Sequence, residues 1–228
     1  MKTPVAHAII AALPREVRGL VRRARPDATF LHRGIHLYRL PQTLVVTAGM
    51  GAVRAALAFG AVLEVCEPAT LVSVGLAGGC DADTPAGAVF EAGVVVNAQT
   101  GERFSCAEGE PSQLLVTTAA IAGVREKARL AATYGATLVD MEAATLARLA
   151  SAHGIKFRAI KAISDAHDFE LASLSRFAGT HGQFRTASFA LHTALRPHHW
   201  RHAARLGRES NRALRAMHEK LFALIYQT

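Results

Sequence analysis

The sequence is poor in several features, and each shortage removes a class of chemistry. There are only three cysteines, Cys66, Cys80 and Cys106, widely spaced and with no C-x-x-C pair, so neither a disulfide framework nor a thiolate zinc site is written into the chain. No apolar run reaches the roughly 18 residues that span a bilayer, and the N-terminus lacks a signal peptide's long apolar stretch and cleavage site; the cytoplasm is the expected location. The dinucleotide pattern G-x-G-x-x-G is missing, as is a P-loop Gly-Lys-Ser/Thr, so nucleotide triphosphate chemistry has no support. Acidic residues are scarce in the last quarter. From Arg176 onward nine basic residues face only Glu209 and Glu219, which places +7 of the formal +8 in the tail and leaves the body nearly neutral. Aromatics are few, and the tail has no recognised nucleic-acid motif with interleaved aromatics, so no nucleic-acid partner is expected.

What is present suits one compact α/β domain over 1–228, with a basic helical C-terminal region from about 170. Ala6 to Leu13 reads as a buried first strand, and Pro14 opens a helix with Val17, Leu20 and Val21 on one face. Thr29 to His32 and Ile35 to Leu40 read as a hairpin turning at Arg33-Gly34. Leu44 to Thr47, an alanine-rich helix from Ala52 to about Val65 and Thr70 to Val74 form a βαβ unit closed by Pro68, with its two strands neighbours or near neighbours. Val89 to Asn97, Leu114 to Thr118, Leu138 to Asp140 and Phe157 to Ser164 are further strands, Glu142 to His153 is a helix, and Cys106 to Pro111 is polar enough for a loop. No internal repeat is present. The outline is a mixed α/β layer fold with ligands expected at the carboxyl ends of its strands.

Three segments each deliver a carboxylate where a strand gives way to a turn or helix: Ala-Leu-Pro-Arg-Glu16, Val-Asp140-Met141-Glu142 and Ala-Ile-Ser164-Asp165. Two glycine turns also follow strands, Gly49-Met50-Gly51 and Gly75-Leu76-Ala77-Gly78-Gly79, where glycine permits positive φ and close approach of a ligand. Each carboxylate also has a plain structural reading. Asp140 and Glu142 suit an acidic first turn favoured by the helix dipole, Asp165 suits an N-cap, and Glu16 suits a surface carboxylate beside Arg15 or Arg18.

Taken in order from Ala6 to about Asp168, these segments resemble the nucleoside phosphorylase superfamily, in particular its methylthioadenosine/S-adenosylhomocysteine nucleosidases. The resemblance implies a single-domain three-layer α/β/α fold with a mixed central sheet. It also implies cleavage of the N-ribosyl bond of a purine, specifically adenine, nucleoside without metal or organic cofactor. Asp165 then matches the acid that protonates the leaving purine at N7, Glu16 the base for the attacking water, and Glu142 the carboxylate that grips the ribose hydroxyls over Met141. Met50, Leu76, Ala77, Gly78, Asp140 and Ser164 fall at matching substrate-binding positions. Arg15, following Pro14, is reminiscent of the phosphorylase branch, so Arg15 and Gly51 are candidate contacts for phosphate as co-substrate. The departures are Leu76, where the family usually has a small hydroxyl residue, and the lack of a base-stacking aromatic, with Ile121 and Ala122 at that place. They leave a nucleoside-binding or membrane-associated protein without catalysis as a further alternative. A homo-oligomer, a dimer first, is implied by the family.

The C-terminal third, with Phe184-Arg185-Thr186, Leu195-Arg196-Pro197, Trp200 and a long basic helix, resembles the hopanoid-associated phosphorylase-like proteins, which implies a lipid-linked adenosine derivative as substrate. Trp200, Ala203, Leu206, Leu214, Met217, Leu221 and Leu224 recur at helical spacing; the favoured reading is packing on the domain or on a dimer partner, the other a peripheral contact with an anionic membrane. His198 and His202 share a helix face but lack a carboxylate ligand nearby, so no metal site is assigned.

Overall fold

A computed structural model describes residues 2–170 and 200–226 of the chain, with the side chains of 200–206 outside that description. Its centre is a nine-stranded mixed sheet: β1 (Thr3–Ala11), β2 (His36–Leu40), β3 (Thr43–Thr47), β4 (Cys66–Gly79), β5 (Val89–Asn97), β6 (Arg103–Ser105), β7 (Glu110–Thr117), β8 (Leu138–Asp140) and β9 (Lys156–Asp165). The order is β2-β3-β1-β4-β8-β7-β5-β6, and β9 pairs with both β4 and β5, so β4, β8, β7, β5 and β9 close into a ring. The apolar runs of the central strands are continuous because both faces are covered. Ala8, Ile10, Leu44, Val46 and Leu71 pack with α3 (Ala52–Val65) and α5 (Ala143–Ala152) on one side. Ile9, Val45, Val72 and Ile160 pack with α1 (Pro14–Val21) and α6 (Trp200–Tyr226) on the other. α4 (Val124–Tyr134) covers a third cluster around Leu130 and Val139.

The hairpin expected at Arg33-Gly34 is not formed. Residues 28–31 are a short helix, α2 (Ala28–Leu31), because Asp27 accepts both the backbone N–H (3.1 Å) and the hydroxyl (2.5 Å) of Thr29 and so caps a turn; the hairpin is instead β2 with β3, turning at Gln42 with φ 51°. Strands β3 and β4 of the βαβ unit are near neighbours with β1 between them. Pro68 does not close that unit but lies inside β4, before β9 joins at Thr70, where the strand has a neighbour on one side only and tolerates a missing N–H. Strand β7 starts at Glu110, taking in the end of the segment read as a loop, and α4 was not anticipated.

Helix α6 settles the reading of the tail from 207 onward. Leu214, Met217, Leu221 and Ile225 are buried against α1 and the sheet, and Lys220 reaches Glu91 on β5 at 2.7 Å, so this apolar stripe is core. Arg208, Arg212 and Arg215 remain exposed. Among the described residues no helix is long and apolar enough to cross a membrane. Phe184 to Thr186, Leu195 to Pro197, His198 and His199 lie outside the described residues, as do the side chains of Trp200, His202, Ala203 and Leu206.

Candidate active site

Strands β1, β3, β4 and β9 run parallel, so their carboxyl ends bring Glu16, the Gly49 to Gly51 turn, the Gly75 to Gly79 stretch and Asp165 to one edge of the sheet. Strand β8 is antiparallel to β4, pairing Val139 with Gly78, and therefore returns Asp140-Met141-Glu142 to the same place. All the candidate residues except Gly51 line a single cavity of about 240 Å³.

Glu16 is the third residue of α1, where a carboxylate can reach back to the open amides of the helix start. Its Oε2 accepts from Leu13 N (2.7 Å) and its Oε1 from Leu76 N (2.9 Å), and it is 3% exposed. The surface-pair reading with Arg15 or Arg18 is thus replaced by a buried carboxylate gripped by two amides. Burial pushes Glu16 above the usual carboxylate range, opposed by the two amides and by the charges of Arg15 and Lys161. Leu76 makes its contact through the backbone, which needs no side-chain hydroxyl. The approach depends on Gly75: its φ is 142°, and a Cβ there would lie 3.0 Å from the Glu16 carboxylate.

The Asp-Met-Glu segment divides its labour. Asp140 Oδ1 accepts from Thr117 Oγ1 (2.6 Å), and Oδ2 accepts from Ala143 N (3.0 Å) and pairs with Lys161 Nζ (2.9 Å), which also donates to Ser73 Oγ (2.9 Å). Asp140 therefore fits the helix-start reading, tying α5 to β7 and β9. Glu142 projects instead toward the glycine turn after β3, where Oε1 accepts from Gly51 N at 2.6 Å. That amide, offered above as a phosphate contact, is committed to a carboxylate. Burial, then the neighbouring Asp140 charge, pushes Glu142 up to about 7.

Asp165 ends β9, which carries one extra residue at this point, so that Asp165 rather than Ser164 stands opposite Gly78. It is 2% exposed; Lys127 Nζ bonds to Oδ2 and Ser164 Oγ to Oδ1. Burial raises its carboxyl above the usual range, against the opposing pull of Lys127 and Ser164. A Cβ on Gly78 would stand 3.0 Å from Lys127 Cε and 3.1 Å from Asp165 Oδ2, so the pair needs that glycine. Lys127 was not identified from the sequence, although it occupies the buried stripe of α4 with Leu130, where an unpaired lysine would not be tolerated. Lys161, likewise missed, gave the same signal by interrupting the apolar run of β9.

The rest of the lining is largely apolar. Met50, Met141, Ile121 and Ala122 line the cavity with the carboxylates, and Gly207 and Ser210 of α6 complete the wall. No aromatic residue lines the cavity among the described residues. Burial pushes the Cys66, Cys80 and Cys106 thiols up to about 11, 12 and 12, which leaves them poor nucleophiles. Among the described residues no group of three or more His, Cys, Asp or Glu is placed to hold a metal ion.

Comparison with known proteins agrees with this architecture. No curated protein matches the sequence. Among solved structures, a 5′-methylthioadenosine nucleosidase of Arabidopsis thaliana in apo form aligns over 99% of this chain and 98% of its own with TM-score 0.69 at 16% identity. A 5′-methylthioadenosine/S-adenosylhomocysteine nucleosidase of Neisseria meningitidis in complex with methylthio-immucillin-A aligns over 72% and 87% with TM-score 0.63 at 19% identity. A futalosine hydrolase of Helicobacter pylori aligns over 84% and 97% with TM-score 0.60 at 15% identity. At these identities the likeness is one of fold. The family model described as the phosphorylase superfamily matches residues 6–113 and 97–195, and the chain belongs to that superfamily.

Proposed function

We propose that this protein is a purine nucleosidase that hydrolyses the N-ribosyl bond of an adenosine derivative. The observation that carries the reading is the placement of two buried carboxylates along β4. Glu16 packs on Gly75 and Asp165 on Gly78, three residues or roughly 10 Å of strand apart, with Glu142, at the start of α5, in the same cavity. That spacing leaves room for a ribosyl-purine bond between an acid and a base.

In this reading Asp165 gives its proton to purine N7 as the C1′–N9 electron pair moves onto the base. Positive charge growing on the ribose faces Glu16 and Glu142. A water attacks C1′ and passes its proton to Glu16, and the ribose hydroxyls bond to Glu142 over Met141. Water is favoured over phosphate because the amides of Gly51 and Leu76 are taken by carboxylates, and a phosphate dianion beside Glu16 and Glu142 would meet like charge. Arg15, which lines the cavity, is the feature that favours phosphate. The nucleoside-processing and nucleoside-analogue-binding proteins of the same fold support a purine nucleoside as substrate class.

The test is release of free base from adenosine, methylthioadenosine and an adenosine carrying a lipid at its 5′ end, by the wild type and by Asp165→Asn and Glu142→Gln. Loss of turnover in both variants with the fold retained supports the assignment; undiminished turnover in both removes it. Tight adenine binding without product from any nucleoside would instead support a binding protein.

A further inference from the structure

Lys127 is a buried cation that the reaction outlined above does not use. Its side chain is 1% exposed, and its three N–H groups meet three acceptors: Asp165 Oδ2, Ala166 O at 2.8 Å and Phe169 O at 3.3 Å. Every N–H of this side chain therefore has a buried acceptor, and the loss of any one would orphan its partner. The other oxygen of Asp165 meets a different partner. Ser164 Oγ is bonded to Oδ1 and also stands 3.2 Å from Ala77 O, yet it has one proton to give. When Asp165 carries a proton on Oδ1 in the free protein, that O–H donates to Ser164 Oγ while the serine O–H donates to Ala77 O, so every contact is satisfied; with a purine bound, the Oδ1–H turns to N7 instead. When Asp165 is ionised, the serine proton turns to Oδ1.

We propose that Lys127 is the positioning residue of the proton donor: it occupies Oδ2 so that the transferable proton sits on Oδ1, and it neutralises the carboxylate left once that proton has gone. The inference rests on the nucleosidase reading. In the step itself the Oδ1–H bond breaks, the proton joins purine N7, and the C1′–N9 electron pair passes to the base. The water oxygen bonds to C1′, its proton goes to Glu16, and Asp165 remains as a carboxylate against Lys127. The same lysine fixes residues 165–169 through two carbonyls, so donor and loop are held by one group. Other ionisable groups around the pair are accounted for. Cys80 is a thiol held neutral, Asp81 accepts from Thr84 Oγ1, Glu126 faces Arg129, Glu170 accepts from Val124 N, and His167 and Asp168 are exposed.

The test compares wild type, Lys127→Met, Lys127→Gln and Lys127→Arg in two readouts. One is the pH profile of kcat/KM for base release, and the other is the titration of Asp165 followed by NMR of ¹³C-labelled aspartate, assigned with Asp165→Asn. Removing the cation favours the protonated acid, so in the Met and Gln variants the basic limb of the profile and the Asp165 titration should move up together, while kcat falls by about 10²-fold and KM changes little. Lys127→Arg should keep the limb near its wild-type position. Lys127→Gln can still donate to the carbonyls of Ala166 and Phe169, which separates charge from loop anchoring if the Met variant fails to fold. Loss of turnover and thermal midpoint with neither the limb nor the titration displaced would overturn the proposal. A wild type that releases no base from any purine nucleoside overturns the reaction and the donor role together, whereas failure of Lys127 alone leaves wild-type turnover intact.

Discussion

Two pairs of carboxylates share the cavity and are held in opposite ways. Glu16 and Glu142 are gripped by neutral backbone amides, from Leu13 and Leu76 for one and Gly51 for the other. Asp140 and Asp165 are each bound to a buried lysine, Lys161 and Lys127. The difference separates tasks. An amide orients a carboxylate without cancelling its charge, which suits groups that must face a cationic ribose. A lysine balances the charge, which suits a group that anchors a helix, as Asp140 does, or one that must pass between acid and carboxylate, as Asp165 does in the proposed reaction.

The largest effects are expected where a group of the proposed reaction is removed. Asp165→Asn should lower kcat for base release by roughly 10³-fold, with Glu16→Gln close behind, as expected for a lost general acid or base. Circular dichroism should show both folded. On the lysine side, Lys161→Met strands Asp140 in the core, and denaturant unfolding should show a loss of about 3–5 kcal/mol. On the amide side, Gly75→Ala forces a side chain into φ 142° and against the Glu16 carboxylate. It should cost about 1–3 kcal/mol of stability and lower turnover by about 10²-fold through displacement of Glu16.

The pH dependence sharpens the contrast further. Glu142 titrates at about 7 in the folded protein against an ordinary 4.5. The folded state then holds more protons than the unfolded one across that interval, so the Glu142 contribution to stability is complete below about 4.5 and is lost as pH rises through about 7. The thermal midpoint of the free protein should fall across this window, and the fall should be smaller in Glu142→Gln. The smallest effect is expected for Leu76→Ser. Because residue 76 holds Glu16 through its amide, introducing a hydroxyl should alter kcat by no more than about threefold.

Much of this site could be read from the chain because its carboxylates sit in short motifs at strand ends, and Pro14 marks the start of the helix that carries Glu16. The lysines are harder to read: a lysine in a helix or strand is expected to face solvent, and although Lys127 and Lys161 interrupt otherwise apolar stripes, only the packing of α4 and β9 reveals their partners, Asp165 and Asp140. The strand wrongly read over Thr29 to His32 has a similar origin. Its β-prone residues were overruled by the local capping of Thr29 by Asp27, worth about 1 kcal/mol, and by a short turn. Ser210 and Gly207 could not have been found from the sequence, since they reach the cavity only because α6 packs back across α1.

In the proposed reaction these carboxylates direct water, not phosphate, at the N-ribosyl bond. Product analysis of adenosine or methylthioadenosine turnover at zero and at saturating inorganic phosphate distinguishes the two nucleophiles. Attack by water gives free adenine and the free sugar at a rate independent of phosphate. Sugar 1-phosphate formed only when phosphate is added would contradict it.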